Sequence, residues 1–509
     1  MFLFITKCEC GFTKFTEIHS WEMEMKTLER AREFEATHKG FDDSKPDFHV
    51  TPGVGWMNDP NGFSLYQGEI HLFYQYYPYG TEWGPMHWGH YKTKDFIKWE
   101  ALPIALAPDE GYDLKGCFSG SAIEHEGKHV LFYTGVMEKK SDDNVLAVIQ
   151  NQCIAVGNGV DYRKQAENPV IAGSTLPEGC SNIDFRDPKV WKEDNVFNMV
   201  VANRNRDGNG QILLYQSDTL TDWKLTSVLL EYKQNYGKMW ECPDFFPLDK
   251  KQVLIISPQD MMAQGLEYHN GNNVMYFVGE YCKKTHTLKE EVEYSVDYGL
   301  DFYAPQTVLT EDGRRVMIGW MQSWETKLKG ADQSWIGMMT IPRELRLHEN
   351  RLIQSPIREL ESYRQNRITY VNQHVEGVCS LDGISGRTID LTIELVSGDY
   401  ENFEISFACN EEYRVYCNYN KKTNVLRYDR KYSGIQRDVV CDREVKMCNN
   451  EMPKLRLILD KYSAEIFIND GEQVLSSLHF TPLVADGIKF YCDGYVSVNI
   501  DKYDIIVNR

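Results

Sequence analysis

Short apolar runs recur along most of this chain. His71-Leu72-Phe73-Tyr74-Gln75, Val130-Leu131-Phe132-Tyr133, Asn198-Met199-Val200-Val201, Val253-Leu254-Ile255-Ile256 and Val316-Met317-Ile318-Gly319 are strand-length and bounded by Gly, Asn, Asp or Pro clusters. No long pattern of helical period separates them, which predicts an all-β fold. The pattern repeats from Pro46 to about residue 350. That length fits radial repetition of small sheets, as in a propeller, better than one sandwich. Residues 351–375 carry several Arg, Gln and Asn with weaker strand character, and read as a linker. Strand patterns resume over 376–509. Leu455-Arg456-Leu457-Ile458-Leu459 and Ala464-Glu465-Ile466-Phe467-Ile468 flank a turn, and Asn469-Asp470-Gly471 makes a second, where Gly accepts positive φ. Roughly 130 residues of this kind suit one β-sandwich.

Residues 1–45 differ and read as an N-terminal extension, partly helical, packed on the main body. Ser20 through Thr37 predicts a helix, with Ser20 as N-cap, Glu22 and Glu24 in the first turn, and Trp21, Met25 and Leu28 on one stripe. The first twenty residues read as disordered or as the result of an upstream start codon. Met1 through Lys7 lacks the basic start, long apolar core and small-residue cleavage site of a secretory leader. No run of roughly 18 uncharged apolar residues occurs, so no transmembrane helix is expected.

Bulk properties then narrow the function classes. A chain of 509 residues exceeds one hydrophobic core, in keeping with two domains. The formal net charge of -20 repels nucleic acid and anionic membranes, and neither is an expected partner. The 13 cysteines are odd in number and lack paired spacings, which reads as reduced thiols in a cytoplasmic protein. Cys8 and Cys10 have no second pair nearby to complete a zinc site. His87 and His90 share the spacing of a metal pair, but metal binding is not the expected reading. No metal or cofactor is expected.

Three acidic segments carry candidate chemistry: Trp56-Met57-Asn58-Asp59-Pro60-Asn61-Gly62, Phe185-Arg186-Asp187-Pro188-Lys189 and Trp240-Glu241-Cys242-Pro243-Asp244. Each sets a carboxylate close to a Pro at a strand-to-loop transition. Pro fixes its own φ and restricts the preceding residue, so the side chain is held in one direction, as catalysis needs. The same residues also make a good plain turn, so local chemistry alone leaves both readings open.

Taken together and in order, the three segments resemble the three acidic blocks of glycoside hydrolase family 32, the family of invertases, sucrose-6-phosphate hydrolases, inulinases and levanases. Met86-His87-Trp88-Gly89-His90, Phe118-Ser119-Gly120-Ser121-Ala122, Asp301-Phe302-Tyr303-Ala304, Met339 to Leu345, and Asp460 to Gly471 resemble further family blocks. The likeness runs from about Pro46 to about Asp501 and excludes the extension. It implies a five-bladed β-propeller over 46–350 followed by a C-terminal β-sandwich, with the site at one end of the propeller channel.

The resemblance also implies roles. Asp59 is the expected nucleophile on the anomeric carbon of a β-linked fructofuranosyl unit. Glu241 is the expected general acid and then base, and Asp187 the expected transition-state stabiliser. A retaining mechanism expects the two working carboxyls about 5–5.5 Å apart. Arg186 orients the carboxylates or serves as a structural ion-pair partner. Asn58, Gln75, Trp83, Ser119 and Trp320 match pocket positions, Phe118 packs at its edge, and Trp56, Trp83 and Trp320 are candidates to cover the sugar's apolar face. Core packing is the competing reading for each Trp. Cys242 either tunes the acid or is a passive buried thiol. The expected partner is a small carbohydrate, with homo-oligomerisation left open. Fructosyl transfer, a related propeller glycosidase for arabinose or xylose, and a sugar-binding protein without catalysis are the competing functions. The complete first block and the presence of all three carboxylates favour hydrolysis of sucrose, sucrose-6-phosphate or short fructans.

Overall fold

The computed structural model describes residues 27–508, except 41, 141–145, 232–235, 331–332, 436–437 and 449–451. Four antiparallel strands make each of five sheets arranged as blades. Blade I comprises Gly55–Tyr66, Glu69–Tyr77, His87–Thr93 and Glu100–Leu106; blade II Gly116–His125, Lys128–Lys140, Leu146–Gly157 and Tyr162–Lys164. Blade III comprises Cys180–Glu193, Val196–Asn205, Gly210–Ser217 and Lys224–Glu231; blade IV Met239–Leu248, Lys251–Gln259, Met275–Cys282 and Thr287–Ser295. Blade V comprises Tyr303–Leu309, Arg315–Trp320, Arg343–His348 and Arg351–Pro356. The first strand of every blade is innermost, and these five strands touch in a closed ring, blade V against blade I.

The continuous apolar runs follow from burial of both faces of a blade. Side chains alternate across a strand, so one run feeds two cores. Val253 and Ile255 enter the core on one side of blade IV, while Leu254 and Ile256 enter the core it shares with blade III. Leu131 and Tyr133 likewise face blade I, and Val130 and Phe132 face blade III. Ring closure uses a short strand, Trp335–Ile336, which pairs in parallel with Gly55 and Trp56. Gly337 follows at φ 89, and a Cβ there would lie 2.0 Å from the Met57 carbonyl oxygen, so the closure needs glycine.

Residues 351–375, expected as a linker, are ordered secondary structure instead. Arg351–Pro356 is the outer strand of blade V, Arg358–Tyr363 is a 3-10 turn, and Arg364–Cys379 is already a strand of the second domain. Their polar character misled because the longer strand, Arg364–Cys379, leaves much of its surface exposed, whereas Arg351–Pro356 is mostly buried. Strand 364–379 alternates half-buried with exposed residues, and only Val375 is fully buried. The second domain is one bent sheet folded into two layers. Its last strand, Gly487–Ile505, runs through both layers, pairing with 364–379 along one side and with Asn402–Cys409 and Ile389–Asp399 along the other. The layers enclose one core that includes Leu391, Ile405, Leu457 and Phe490.

Among the described residues, helix α1 spans Leu28–His38, covering the C-terminal part of the expected helix. Thr27 is its N-cap, accepting from the Arg30 N–H at 3.3 Å, while Ser20, Trp21 and Met25 lie outside the described residues. The helix rests on blade I: Phe34 meets Tyr79 edge-on at 4.8 Å, and Arg32 donates to the Ile104 carbonyl at 2.9 Å.

Buried charges join the domains. Asp460 accepts the Asp47 and Phe48 N–H groups, and its Oδ2 lies 2.8 Å from His49 Nδ1. His49 Nε2 lies 3.0 Å from Glu465 Oε1, and Arg343 pairs with both Glu465 and Asp297. Arg430 of the sandwich pairs with Asp301 of the propeller. All of these side chains are fully buried, and an unpaired charge there would be costly.

Candidate active site

Every inner strand is interrupted at the same level of the channel. Pairing with the second strand of each blade shifts register between Met57 and Pro60, Phe118 and Gly120, Glu241 and Asp244, and Tyr303 and Gln306. In blade III the shift spans Arg186 to Lys189. A bulge leaves a residue unpaired and re-aims its side chain. Here the five bulges hold Asp59, Ser119, Asp187, Cys242 and Ala304. Asp187 (φ 64), Cys242 (φ 49) and Ala304 (φ 50) adopt the left-handed region, which side chains other than Gly enter at a cost.

The bulges converge on one cavity of about 320 Å³, lined by Asp59, Asp187 and Glu241 from three different blades. Asn58, Gln75, Trp83, Phe118, Ser119 and Arg186 line it as well. Asp59 receives the Asn58 amide on Oδ1 at 3.0 Å and the Ser119 hydroxyl on Oδ2 at 2.7 Å. Asn58 is itself held by the Trp56 indole N–H at 2.7 Å. Burial, then the charge of Glu241, pushes the Asp59 carboxyl up to about 6, against the pull of these donors. Gln75 donates to the Cys117 carbonyl at 2.9 Å and lines the cavity.

Asp187 accepts the Cys242 N–H at 2.9 Å. Burial and the neighbouring Glu241 also raise its carboxyl, while Arg186 lowers it. The Cys242 thiol lies 3.6 Å from both Asp59 Oδ2 and Asp187 Oδ2. It therefore bridges two of the carboxylates rather than resting on the adjacent Glu241, and burial pushes it far above the usual thiol range. Glu241 is held from both sides: Arg186 Nε donates to Oε1 at 2.9 Å, and the Tyr303 hydroxyl sits 2.7 Å from Oε2.

Two tryptophans are not where the pocket expectation put them. Trp320 and Trp56 are both fully buried in the core between blades IV, V and I. The strand carrying Trp320 ends at that residue with its ring turned inward. Trp324, four residues on, lines the pocket instead, edge-on to Trp320 at 5.1 Å and stacked on Trp56 at 6.0 Å. Trp83 is 44% exposed at the mouth, edge-on to Phe118.

Residues that sequence reasoning missed are Trp324, Gln150, Asp184 and Tyr303. Tyr303 lay inside a quoted block without a role. Asp184 precedes Arg186 by two positions, a spacing that puts both on one side of a strand. Gln150 had no signal, since its Oε1 reaches the Phe185 N–H across the blade II–III boundary. Among the described residues, no group of three or more His, Cys, Asp or Glu is arranged to hold a metal ion. His90 instead stacks on Phe73 at 3.9 Å with its Nε2 2.9 Å from His71, in a buried cluster that burial keeps neutral. No helix among the described residues is long and apolar enough to cross a membrane.

Comparison with known proteins bears on both domains. The family model of the glycosyl hydrolases family 32 N-terminal domain matches residues 49–356, and that of the family 32 C-terminal domain matches 359–506. A sucrose-6-phosphate hydrolase of Zymomonas mobilis is 37% identical over 448 residues, covering 84% of this chain and 84% of the relative. A raffinose invertase of Escherichia coli is 37% identical over 436 residues, covering 85% and 88%. The solved β-fructofuranosidase of Bombyx mori superposes with a TM-score of 0.79 at 32% identity, covering 97% of this chain and 98% of that one; a variant of it has been solved with sucrose. With a five-bladed propeller, a sandwich and both family models accounted for end to end, the chain belongs to glycoside hydrolase family 32.

Proposed function

We propose that this chain is a retaining β-fructofuranosidase, releasing β-D-fructofuranosyl units from sucrose, its 6-phosphate or short fructans. The observation that carries this reading is the meeting of Asp59, Asp187 and Glu241, from three blades, around one cavity the size of a small sugar. Asp59 attacks the anomeric carbon of the fructosyl unit while Glu241 gives its proton to the glycosidic oxygen, and the bond to the leaving sugar breaks. Glu241 then takes a proton from water, whose oxygen attacks the same carbon and expels Asp59. Hydrogen bonds from Asn58 and Ser119 favour the Asp59 anion and aim it. Asp187 accepts from fructose hydroxyls, with the Cys242 N–H holding its other side. Arg186 and Tyr303 fix the Glu241 carboxyl between them. Free thiols at all eleven described cysteines are in keeping with a reducing compartment such as the cytoplasm.

The test is turnover of sucrose by the full chain and by Asp59→Asn, with products followed by NMR. Equal glucose and fructose, fructose appearing first as the β-furanose, and loss of at least about 10³-fold in the variant are expected. First-formed α-anomer would end the retaining reading. Accumulation of longer oligosaccharides with little free fructose would make the chain a transferase.

A further inference from the structure

The segment preceding Arg186 forms one wall of the pocket and carries a fourth carboxylate, Asp184. Its Oδ1 accepts from Arg186 at 3.1 Å, and its Oδ2 pairs with Arg204 at 2.7 Å. The backbone beneath is pinned: the Asp184 N–H donates to Ser181 Oγ, and its carbonyl accepts from Asn203. Arg186 in turn holds Glu241. Asp184 therefore stands one guanidinium beyond Glu241, the proposed acid.

The charges around the cavity are unbalanced. Asp59, Asp184, Asp187 and Glu241 line the cavity against one cation, Arg186. Even with Glu241 carrying its proton, Asp59, Asp184 and Asp187 are set against Arg186 in the cavity and Arg204 behind Asp184, which leaves carboxylates in excess. The arginines nearest the wall are engaged: Arg204 by Asp184, and Arg206 by Glu178. Lys327 lies over the rings of Trp56 and Trp324, at 5.9 and 5.8 Å. The rest of the outer lining includes Val148, Ile183 and Trp83, which offer apolar surface.

We propose that Asp184 makes the leaving-group side of this pocket selective for a neutral sugar, so that sugars bearing a phosphate are rejected. A phosphate ester brings a charge of about -1.5 to -2 near neutral pH. In a pocket partly withdrawn from water, that charge meets an excess of like charge at close range. Asp184 acts by holding Arg204, whose charge would otherwise be open to a phosphate and would offset the remaining carboxylates. The inference rests on the fructosidase reading and chooses among its substrates, against the expectation set by relatives named for sucrose-6-phosphate.

The experiment compares kcat/KM of the full chain for sucrose and sucrose-6-phosphate at low and high ionic strength. Sucrose should lead by at least about tenfold at low salt, with the gap narrowing as salt screens the pocket. Asp184→Asn should raise the ratio of phosphorylated to neutral turnover several-fold. Equal or better cleavage of sucrose-6-phosphate by the wild type overturns the inference and leaves the fructosidase reading intact; loss of that cleavage in Lys327→Ala would then name the cation responsible. A variant slowed equally on both substrates overturns the role of Asp184, since a merely structural effect moves both alike. Release of fructose from neither substrate removes the fructosidase reading itself, and the inference with it.

Discussion

Removing the Ser119 hydroxyl isolates the electrostatics of the proposed nucleophile. Its Oγ donates to Asp59 Oδ2 at 2.7 Å, and this bond lowers a carboxyl that burial and Glu241 push up to about 6. A hydrogen bond to a charged group is worth about 1.5–3 kcal/mol, and 1.36 kcal/mol corresponds to one pKa unit. Ser119→Ala should therefore raise the Asp59 carboxyl by about one to two units, to roughly 7–8. The nucleophile works only as the anion, so activity is lost as pH falls through its pKa. In wild type, kcat/KM for sucrose should fall below about pH 6 with a slope of one. In the variant the same limb should begin one to two units higher. At pH 6 the variant should be slower by about five- to fiftyfold, and the two enzymes should converge toward about pH 9, apart from any constant factor. Glucose release measured from about pH 4.5 to 9 reads this directly. A lost contact to substrate alone would lower the rate by the same factor at every pH. An acid limb that stays near 6 in Ser119→Ala would refute the reasoning.

The two exchanged tryptophans should separate cleanly. Trp320→Ala, which empties a fully buried site, should cost about 3–5 kcal/mol in denaturant unfolding, whereas Trp324→Ala should raise KM for sucrose with a smaller loss of stability. The reverse pattern would return Trp320 to the pocket. At the domain junction, hydrogen bonds and charges from Asp460 and Glu465 outweigh burial and lift His49 from 6.5 to about 9. A raised pKa contributes stability that is complete below about 6.5 and lost as pH rises through 9, so the unfolding midpoint should decline across that window. His49→Gln should flatten this decline; an unchanged pH profile in the variant would place the dependence elsewhere.

The chain order of apolar runs already determined an all-β protein, because a strand buried on both faces must read as continuously apolar. The chain also held the three acidic blocks, whose shared order carried the family resemblance although each one alone reads equally as a plain turn. What one dimension could not carry was direction. Trp320 and Trp324 are alike in type and four residues apart, and only the end of a strand decides which ring turns into the core. Asp184 and Arg204 are twenty positions apart and become partners because adjacent strands of blade III bring them together. Residues 351–375 looked like a linker because many of their side chains are exposed, yet pairing with neighbouring Arg343–His348 and, far along the chain, with Gly487–Ile505 makes most of them sheet. Hydrogen-bonding partners of a strand are chosen by neighbours in space, and side-chain composition records only how much of each face those neighbours cover.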